Sequence, residues 1–517
     1  MTTLEKASTP TEPPEKLGIQ VLATGVPGLD DVLQGGLPQY SLNLIMGPPG
    51  SGKTTLAQQI MFHLARPDAQ ALYFTAVGEP LLKMLRYQQQ FAFFNTAQVN
   101  QSVYFISLEE ATLEGELDSV IEQIARAVAQ RQPAYVFVDS FRSLVLASLA
   151  STQPVQMLQR FVHQLCTMMT SWQATTFLLT DLLTDQDEGV RPALTVADGL
   201  LHLQQSVQSN SVVRKLSVIK MRGQATVPGL HTFRIDQAGV RVFPPAHCRL
   251  EALTRAQPGA GARPRLATGI SGLDDLLGGG LPQGCSVLVA GPSGSGKSIL
   301  AAQFLAAGAA AGEHGVLLAF EQHPDEWRIP KLASLIVAGQ VSMVEARSVD
   351  LSIDEIVMQL LEEIQRTQAR RVVIDSLSGF ELSLAPTFRD DFRESMLRLV
   401  TALAHAGVTV LMTCELEDRY TDLRFSPYGT AFLTDAIIVQ RYIEVDSRLQ
   451  RVMAVVKLRG SMHSNELRLF SIDATGIRLG ERVRGQEGLL GGRPTRRAVA
   501  DESAAEAAAM AITEART

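Results

Sequence analysis

The chain is 517 residues long, 46% hydrophobic, and carries a formal net charge of −7. That length accommodates two large domains, and the lack of a basic excess argues against nucleic acid as the main partner. No run approaches the ~18 apolar residues of a membrane span, and the polar start has no signal-peptide core. The four scattered cysteines (Cys166, Cys248, Cys285 and Cys414) form no Cys-x-x-Cys pair and read as small core hydrophobes. The expectation is a soluble, cytoplasmic protein with no membrane partner.

Residues 1–16, rich in Thr, Pro and Glu, read as a disordered leader. A first domain is expected over 17–245, a Gly/Pro-punctuated linker over 246–264, a second domain over 265–482 and a flexible tail over 483–517. In chain order, Ser41–Met46 reads as a buried strand, Thr54–Ala65 as a helix, and Ala71–Thr75, Tyr135–Val138, Thr175–Thr180 and Gly199–Leu203 as further strands. The rhythm returns in the second half with Ser286–Ala290, a helix over Ser298–Ala311, then Gly315–Phe320, Arg371–Ile374, Thr409–Thr413 and Ala436–Gln440. Strands alternating with helices of ten or more residues imply an α/β fold built on parallel sheets.

The recurrence is literal at two Gly-rich loops. Gly47-Pro48-Pro49-Gly50-Ser51-Gly52-Lys53-Thr54 and Gly291-Pro292-Ser293-Gly294-Ser295-Gly296-Lys297-Ser298 both fit G-x-x-x-x-G-K-[ST], with their lysines 244 residues apart. The match extends upstream, where Thr24-Gly25 through Gly36-Leu37-Pro38-Gln39 returns as Thr268-Gly269 through Gly280-Leu281-Pro282-Gln283. One nucleotide-binding domain is therefore present twice. In such loops glycines let backbone N–H groups wrap phosphate oxygens at a helix N-terminus. Gly47, Gly50, Ser51, Gly52, Thr54 and Thr55 form the first expected ATP cradle, and Gly291, Gly294, Ser295, Gly296 and Ser298 the second. Lys53 and Lys297 reach the β/γ-phosphates, while Thr54 and Ser298 offer hydroxyls to Mg²⁺.

Asp139 follows the apolar Tyr-Val-Phe-Val and Asp375 follows Arg-Val-Val-Ile, each at a strand end and each expected to hold Mg²⁺ through water. A carboxylate that orients the attacking water is found in one copy only. Glu321 follows the strand after the first helix in repeat two, whereas Val77 and Gly78 align with Glu321 and Gln322 in repeat one, and Glu79 lies two places on. Losing such a group typically costs ~10²–10⁴ in rate, so repeat two is expected to turn over and repeat one to hold. Late in each copy, Lys220-Met221-Arg222-Gly223 and Lys457-Leu458-Arg459-Gly460 recur. On an extended strand alternate residues share a face, and the paired cations suit a neighbour's γ-phosphate.

These residues resemble the RecA-type ATPases, and specifically the KaiC family. The carrying features are Thr24–Asp31 and Thr268–Asp275, the Gly-Gly-Leu-Pro runs, both phosphate loops, the Asp-Ser strand ends and Lys-x-Arg-Gly. The resemblance implies two tandem RecA-like P-loop NTPase domains, each a mostly parallel sheet flanked by helices. It also implies ATP and Mg²⁺ as cofactors, a homohexameric ring with ATP between subunits, and Lys220, Arg222, Lys457 and Arg459 acting in trans. Two departures stand out. Paired glutamates are kept only as Glu321-Gln322, and the Ser-Thr pair that clock members phosphorylate aligns with Ala431-Phe432, which have no hydroxyl. An oligomeric ATPase read by an unidentified signalling or regulatory partner is the leading expectation. A kinase acting on itself or a partner, and a RecA/RadA-like repair motor, are the alternatives. His63, His163, His405, Trp172 and Trp327 read as packing or surface residues.

Overall fold

The computed structural model describes residues 18–75, 81–108, 117–140, 160, 163–165, 167–169, 171, 173–181, 191–208, 211–245, 248, 264–320, 330–345, 351–389, 392–416, 432–445, 448–483, 486–487 and 495–496. The main break between two compact units falls after Pro244, and each unit is described by itself.

The first unit holds a nine-stranded sheet. Its strands are β1 (Leu42–Met46), β2 (Ala71–Thr75), β3 (Val103–Ser107), β4 (Tyr135–Asp139), β5 (Thr175–Thr180), β6 (Gly199–Gln208), β7 (Ser211–Met221), β8 (His231–Asp236) and β9 (Gly239–Phe243). Their order is β9-β8-β7-β6-β1-β5-β4-β2-β3. The second unit repeats it with β10 (Ser286–Gly291), β11 (Gly315–Ala319), β12 (Val341–Glu345), β13 (Arg371–Asp375), β14 (Thr409–Glu415), β15 (Ala436–Val445), β16 (Arg448–Leu458), β17 (Arg468–Asp473) and β18 (Gly476–Arg482). Its order, β18-β17-β16-β15-β10-β14-β13-β11-β12, is the same arrangement. In each sheet the phosphate-loop strand pairs in parallel with neighbours on both sides, β5 and β6 in one and β14 and β15 in the other. The last strands turn antiparallel, as β7–β8–β9 and β15–β16–β17–β18. The α/β reading therefore holds, and each sheet is mostly parallel with an antiparallel wing.

Helices cover the sheet faces. The principal ones are α1 (Lys53–Leu64), α2 (Leu81–Gln88), α3 (Leu117–Arg131), α4 (Lys297–Ala310), α5 (Pro330–Val337), α6 (Ile353–Thr367) and α7 (Phe392–His405). Because both faces are covered, every residue of β1, β2, β5 and β10 is buried, which is why these strands read as continuous apolar runs. In unit two, α6 and α7 cover one sheet face, with Ile356, Leu360, Met396 and Leu399 packed on Val372 and Ile374. Leu300, Phe304 and Leu305 of α4 pack on Val287, Val289 and Leu317 at the other. Arg371, only 2% exposed, opens β13 and bonds Glu313 at 2.7 Å as well as the carbonyls of Ala267 and Phe304. Cys285 and Cys414 are buried, and burial pushes the Cys414 thiol up to about 12, as expected of an inert core residue. Cys166 lies outside the described residues. Among those described, no helix is long and apolar enough to cross a membrane.

Candidate nucleotide site

Each phosphate loop follows the carboxyl end of the central strand and opens a helix, the place where open parallel sheets bind ligands. Gly52 and Gly296 take φ of 101° and 105° as N-cap residues of α1 and α4, with no side-chain cap. An added Cβ would also lie 2.5 Å from the end of the Ile235 side chain in one loop and 2.6 Å from that of Ile472 in the other, so a side chain here would have to displace them as well as hold a positive φ. The first backbone N–H groups of both helices are thus left for an anion. A Cβ on Gly50 would meet nothing within 4 Å, so the cradle is open at that point. Ser51 Oγ is buried without a partner inside the loop, whereas Ser295 Oγ bonds Gln440 at 3.0 Å.

Lys53 Nζ donates to the Gly47 carbonyl at 2.8 Å, the Pro48 carbonyl at 3.1 Å and Asp181 Oδ1 at 3.0 Å. Lys297 Nζ bonds the equivalent carbonyls of Gly291 and Pro292 at 2.9 and 2.8 Å. Thr54 Oγ1 donates to Asp139 Oδ2 at 2.8 Å, so the hydroxyl and carboxylate expected to share Mg²⁺ are already together. Hydroxyl and carboxylate oxygens are the hard donors this cation takes, so the residues present fit it. Asp375 ends the equivalent strand and Ser298 stands in the first turn of α4. Thr55 follows Thr54 in the first turn of α1.

Further hydroxyls steady the two carboxylates, and they differ between the units. Tyr73 on β2 donates to Asp139 Oδ2 at 2.7 Å, whereas Thr413 on β14 donates to Asp375. Burial raises the Asp139 carboxyl above its usual range, with Tyr73 and Thr54 pulling it back. Tyr73 is itself pushed well above the usual phenol value by burial and then by the Asp139 charge. Both strand ends are followed by a non-proline cis peptide, Asp139-Ser140 and Asp375-Ser376.

The Lys-x-Arg pairs stand at the other edge of each sheet. Arg222 N bonds the Asp198 carbonyl, and Asp198 N bonds that of Leu42, the first residue of β1. The phosphate loop begins one strand length away, roughly 15 Å at ~3.3 Å per residue. Arg222 pairs with Asp198 at 3.1 Å but keeps its side chain 58% exposed. Arg459 repeats this beside Asp435, which caps the start of β10, with a side chain 55% exposed. Burial, then the adjacent arginine, lowers the pKa of Lys220 and of Lys457. Beside α4 in unit two, a cavity of about 460 Å³ is lined by Ile299, Ala302, Gln303, Lys331, Asp473 and Thr475, among others.

A family model described as "ATPase: KaiC" matches residues 22–247 and again 266–484. The chain belongs to the KaiC family. It is 25% identical over 498 residues to the circadian clock oscillator protein KaiC of Parathermosynechococcus lividus, covering 93% of this chain and 89% of that protein. It is 24% identical over 503 residues to the KaiC of Picosynechococcus sp., covering 94% of each. As a KaiC-type tandem P-loop protein, it keeps loop, lysine, hydroxyl and strand-end carboxylate together in its first unit. Glu321, Glu79, Val77 and Ala431 lie outside the described residues, as do Trp172 and Trp327. Three residues of the KaiC-type sites were not foreseen: Tyr73, Thr413 and Asp181. Asp181 carried the signal used for Asp139, an acid directly after an apolar strand.

Proposed function

We propose that this chain is a Mg²⁺-dependent ATPase that assembles as a ring, homohexameric by family resemblance, with ATP at subunit interfaces. Turnover falls mainly to repeat two, and a signalling or regulatory protein reads the nucleotide state. The observation that carries this is the division of each unit into two edges. The phosphate loop and strand-end carboxylate share the carboxyl edge, and the Lys-x-Arg cations, of which the arginines are exposed and the lysines half-buried on backbone carbonyls, lie a strand length away at the other. A complete site then needs the carboxyl edge of one subunit and the cations of the next. The names of the relatives, clock oscillator proteins, support a regulatory use, and the acidic balance speaks against a DNA motor.

In this reading Lys53 and Lys297 neutralise the terminal phosphates, and the loop N–H groups fix the chain of phosphates for in-line attack. Thr54 and Asp139, or Ser298 and Asp375, would hold Mg²⁺, which would supply charge neutralisation to the phosphates. Glu321 orients the attacking water in repeat two. Lys457 and Arg459 of one subunit, and Lys220 and Arg222 in the first ring, stabilise charge on a neighbour's phosphate. The cavity beside α4 gives the nucleoside a place within two turns of Lys297.

The test is turnover of Glu321→Gln, Lys53→Ala and Lys297→Ala chains, with particle mass measured in parallel. Glu321→Gln is expected to lose ~10²–10⁴ of the rate and keep the assembly, and Lys53→Ala to lose assembly first. Intact turnover in Glu321→Gln alongside none in Lys53→Ala would reverse the assignment. With γ-labelled ATP, label is expected as free phosphate and not on protein.

A further inference from the structure

The lysine of the first phosphate loop already has an anion. An ammonium has three N–H donors, and all three on Lys53 are engaged, by the carbonyls of Gly47 and Pro48 and by Asp181 Oδ1 at 3.0 Å. The ion pair is well sheltered, the two side chains being 9% and 22% exposed, so salt screens it weakly. Its position follows from the sheet. Asp181 comes directly after β5, the strand between the phosphate-loop strand β1 and the Asp139 strand β4. Gly47 N also bonds the carbonyl of Thr180 at 3.2 Å, which ties the start of the loop to the residue before Asp181. The carboxylate therefore sits at the point on Lys53 that a terminal phosphate must take, and its charge is felt at Asp139, whose carboxyl it helps to raise.

The same register in unit two places Glu415 opposite Gly291. Glu415 is longer by one methylene and exposed to solvent, where a competing charge is hydrated and weak.

We propose that Asp181 is a built-in competitor of polyphosphate for Lys53, a residue that sets how tightly repeat one holds ATP. The proposal rests on the reading that repeat one is an ATP site. Binding exchanges the carboxylate for phosphate oxygens on Nζ and brings new negative charge beside Asp181. Repeat one is consequently a weaker holder than its loop sequence suggests, and its occupancy responds to nucleotide level where a loop lacking the competitor would stay filled.

The experiment uses the full chain with repeat two silenced by Lys297→Ala, and measures the Kd of a non-hydrolysable ATP analogue with Mg²⁺. Asp181→Asn removes the charge while keeping size, and is expected to tighten binding on the order of tenfold, the difference between a charge-assisted and a neutral hydrogen bond. Asp181→Glu, which keeps the charge, is expected to give no gain. A damaged fold weakens binding, so a gain cannot come from misfolding. Unchanged or weaker binding in Asp181→Asn would overturn the proposal. No analogue binding in the Lys297→Ala chain itself would overturn this proposal together with the reading of repeat one as an ATP site.

Discussion

Asp139 and Asp375 occupy the same strand end, yet the hydroxyl that steadies each comes from the opposite neighbour. Tyr73 reaches Asp139 from β2, and Thr413 reaches Asp375 from β14. By register, Leu317 stands where Tyr73 would be in unit two, and Leu179 where Thr413 would be in unit one. Each unit therefore has one anchor, on alternate sides. Hydrogen bonds to a charged group contribute about 1.5–3 kcal/mol, so Tyr73→Phe is expected to weaken Mg²⁺ affinity in repeat one by roughly ten- to a hundredfold, read as the Mg²⁺ concentration for half-maximal nucleotide binding in a Lys297→Ala chain. Thr413→Val should do the same to repeat two, read as the Mg²⁺ concentration for half-maximal turnover in a chain that keeps Lys53, and neither should affect the other repeat. A pH prediction follows from the burial of Asp139. Its carboxyl lies above the usual range, and the cation needs the charged form, so protons compete at higher pH than at an ordinary aspartate near 3.9. Mg²⁺ affinity of repeat one should fall on acidification, starting above that value, and Tyr73→Phe should move the fall further upward. Affinity holding constant down to about pH 4 would contradict this.

At the scale of elements, the antiparallel wing is fastened to the phosphate-loop helix by one glutamine in each unit. Gln59 of α1 accepts from Val240 N at 2.6 Å and donates to the Val240 carbonyl at 3.2 Å, and Gln303 of α4 accepts from Ile477 N at 2.8 Å. Gln59 and Val240 are buried, and an unpartnered buried backbone group costs about 1–3 kcal/mol. Gln59→Ala should accordingly speed hydrogen exchange of Gly239–Phe243 and lower the thermal midpoint of the first unit. The partly exposed Gln303 should show a smaller loss. Unchanged exchange in β9 would mean that the hairpin is held by packing alone. These wings also mark what the sequence left unread. Most of the buried parallel strands were legible because burial on both faces makes continuous apolar runs, but their ends were placed short, at Asp139, Asp375, Gly291 and Glu415 and by five residues in β6 and β15, and the parallel edge strands β3 and β12 were not read at all. The strands β8, β17 and β18 mix arginines and acids on partly exposed strands, and in β9 Arg241 interrupts a five-residue buried strand, so none offers such a run. The loops and strand-end carboxylates were visible as local patterns. Tyr73 and Thr413 were not, because they meet their carboxylates across 66 and 38 residues. The stretch after α2 was unread as well. Phe62 packs on Phe93 and Phe94, and Ala92 N bonds Gln237 O, so this stretch covers the hairpin turn of unit one. The equivalent turn in unit two, Asp473–Gly476, borders the open cavity.

For the whole molecule, the decisive question is whether one chain can complete its own site. In both units the strand order puts the Lys-x-Arg cations beside the start of the central strand and the phosphate loop at its end. A roughly 15 Å strand length exceeds the span of a lysine or arginine side chain, so reaching the loop in cis would require the sheet itself to deform. A second copy has no such constraint, and head-to-tail association carried around a closed ring would place every loop against a neighbour's cations. Complementation tests this directly. An Arg459→Ala chain keeps the second phosphate loop and loses its finger, while a Lys297→Ala chain keeps the finger and loses the loop. Each alone should be nearly inactive in repeat two. After mixing in equal amounts and reassembly, turnover should return to about a quarter of the unsubstituted value, because random placement around a ring gives an intact loop and an intact neighbouring finger at about one interface in four. Two inactive chains that stay inactive when mixed, with mass confirming mixed assemblies, would assign Arg459 to its own subunit's site or to none.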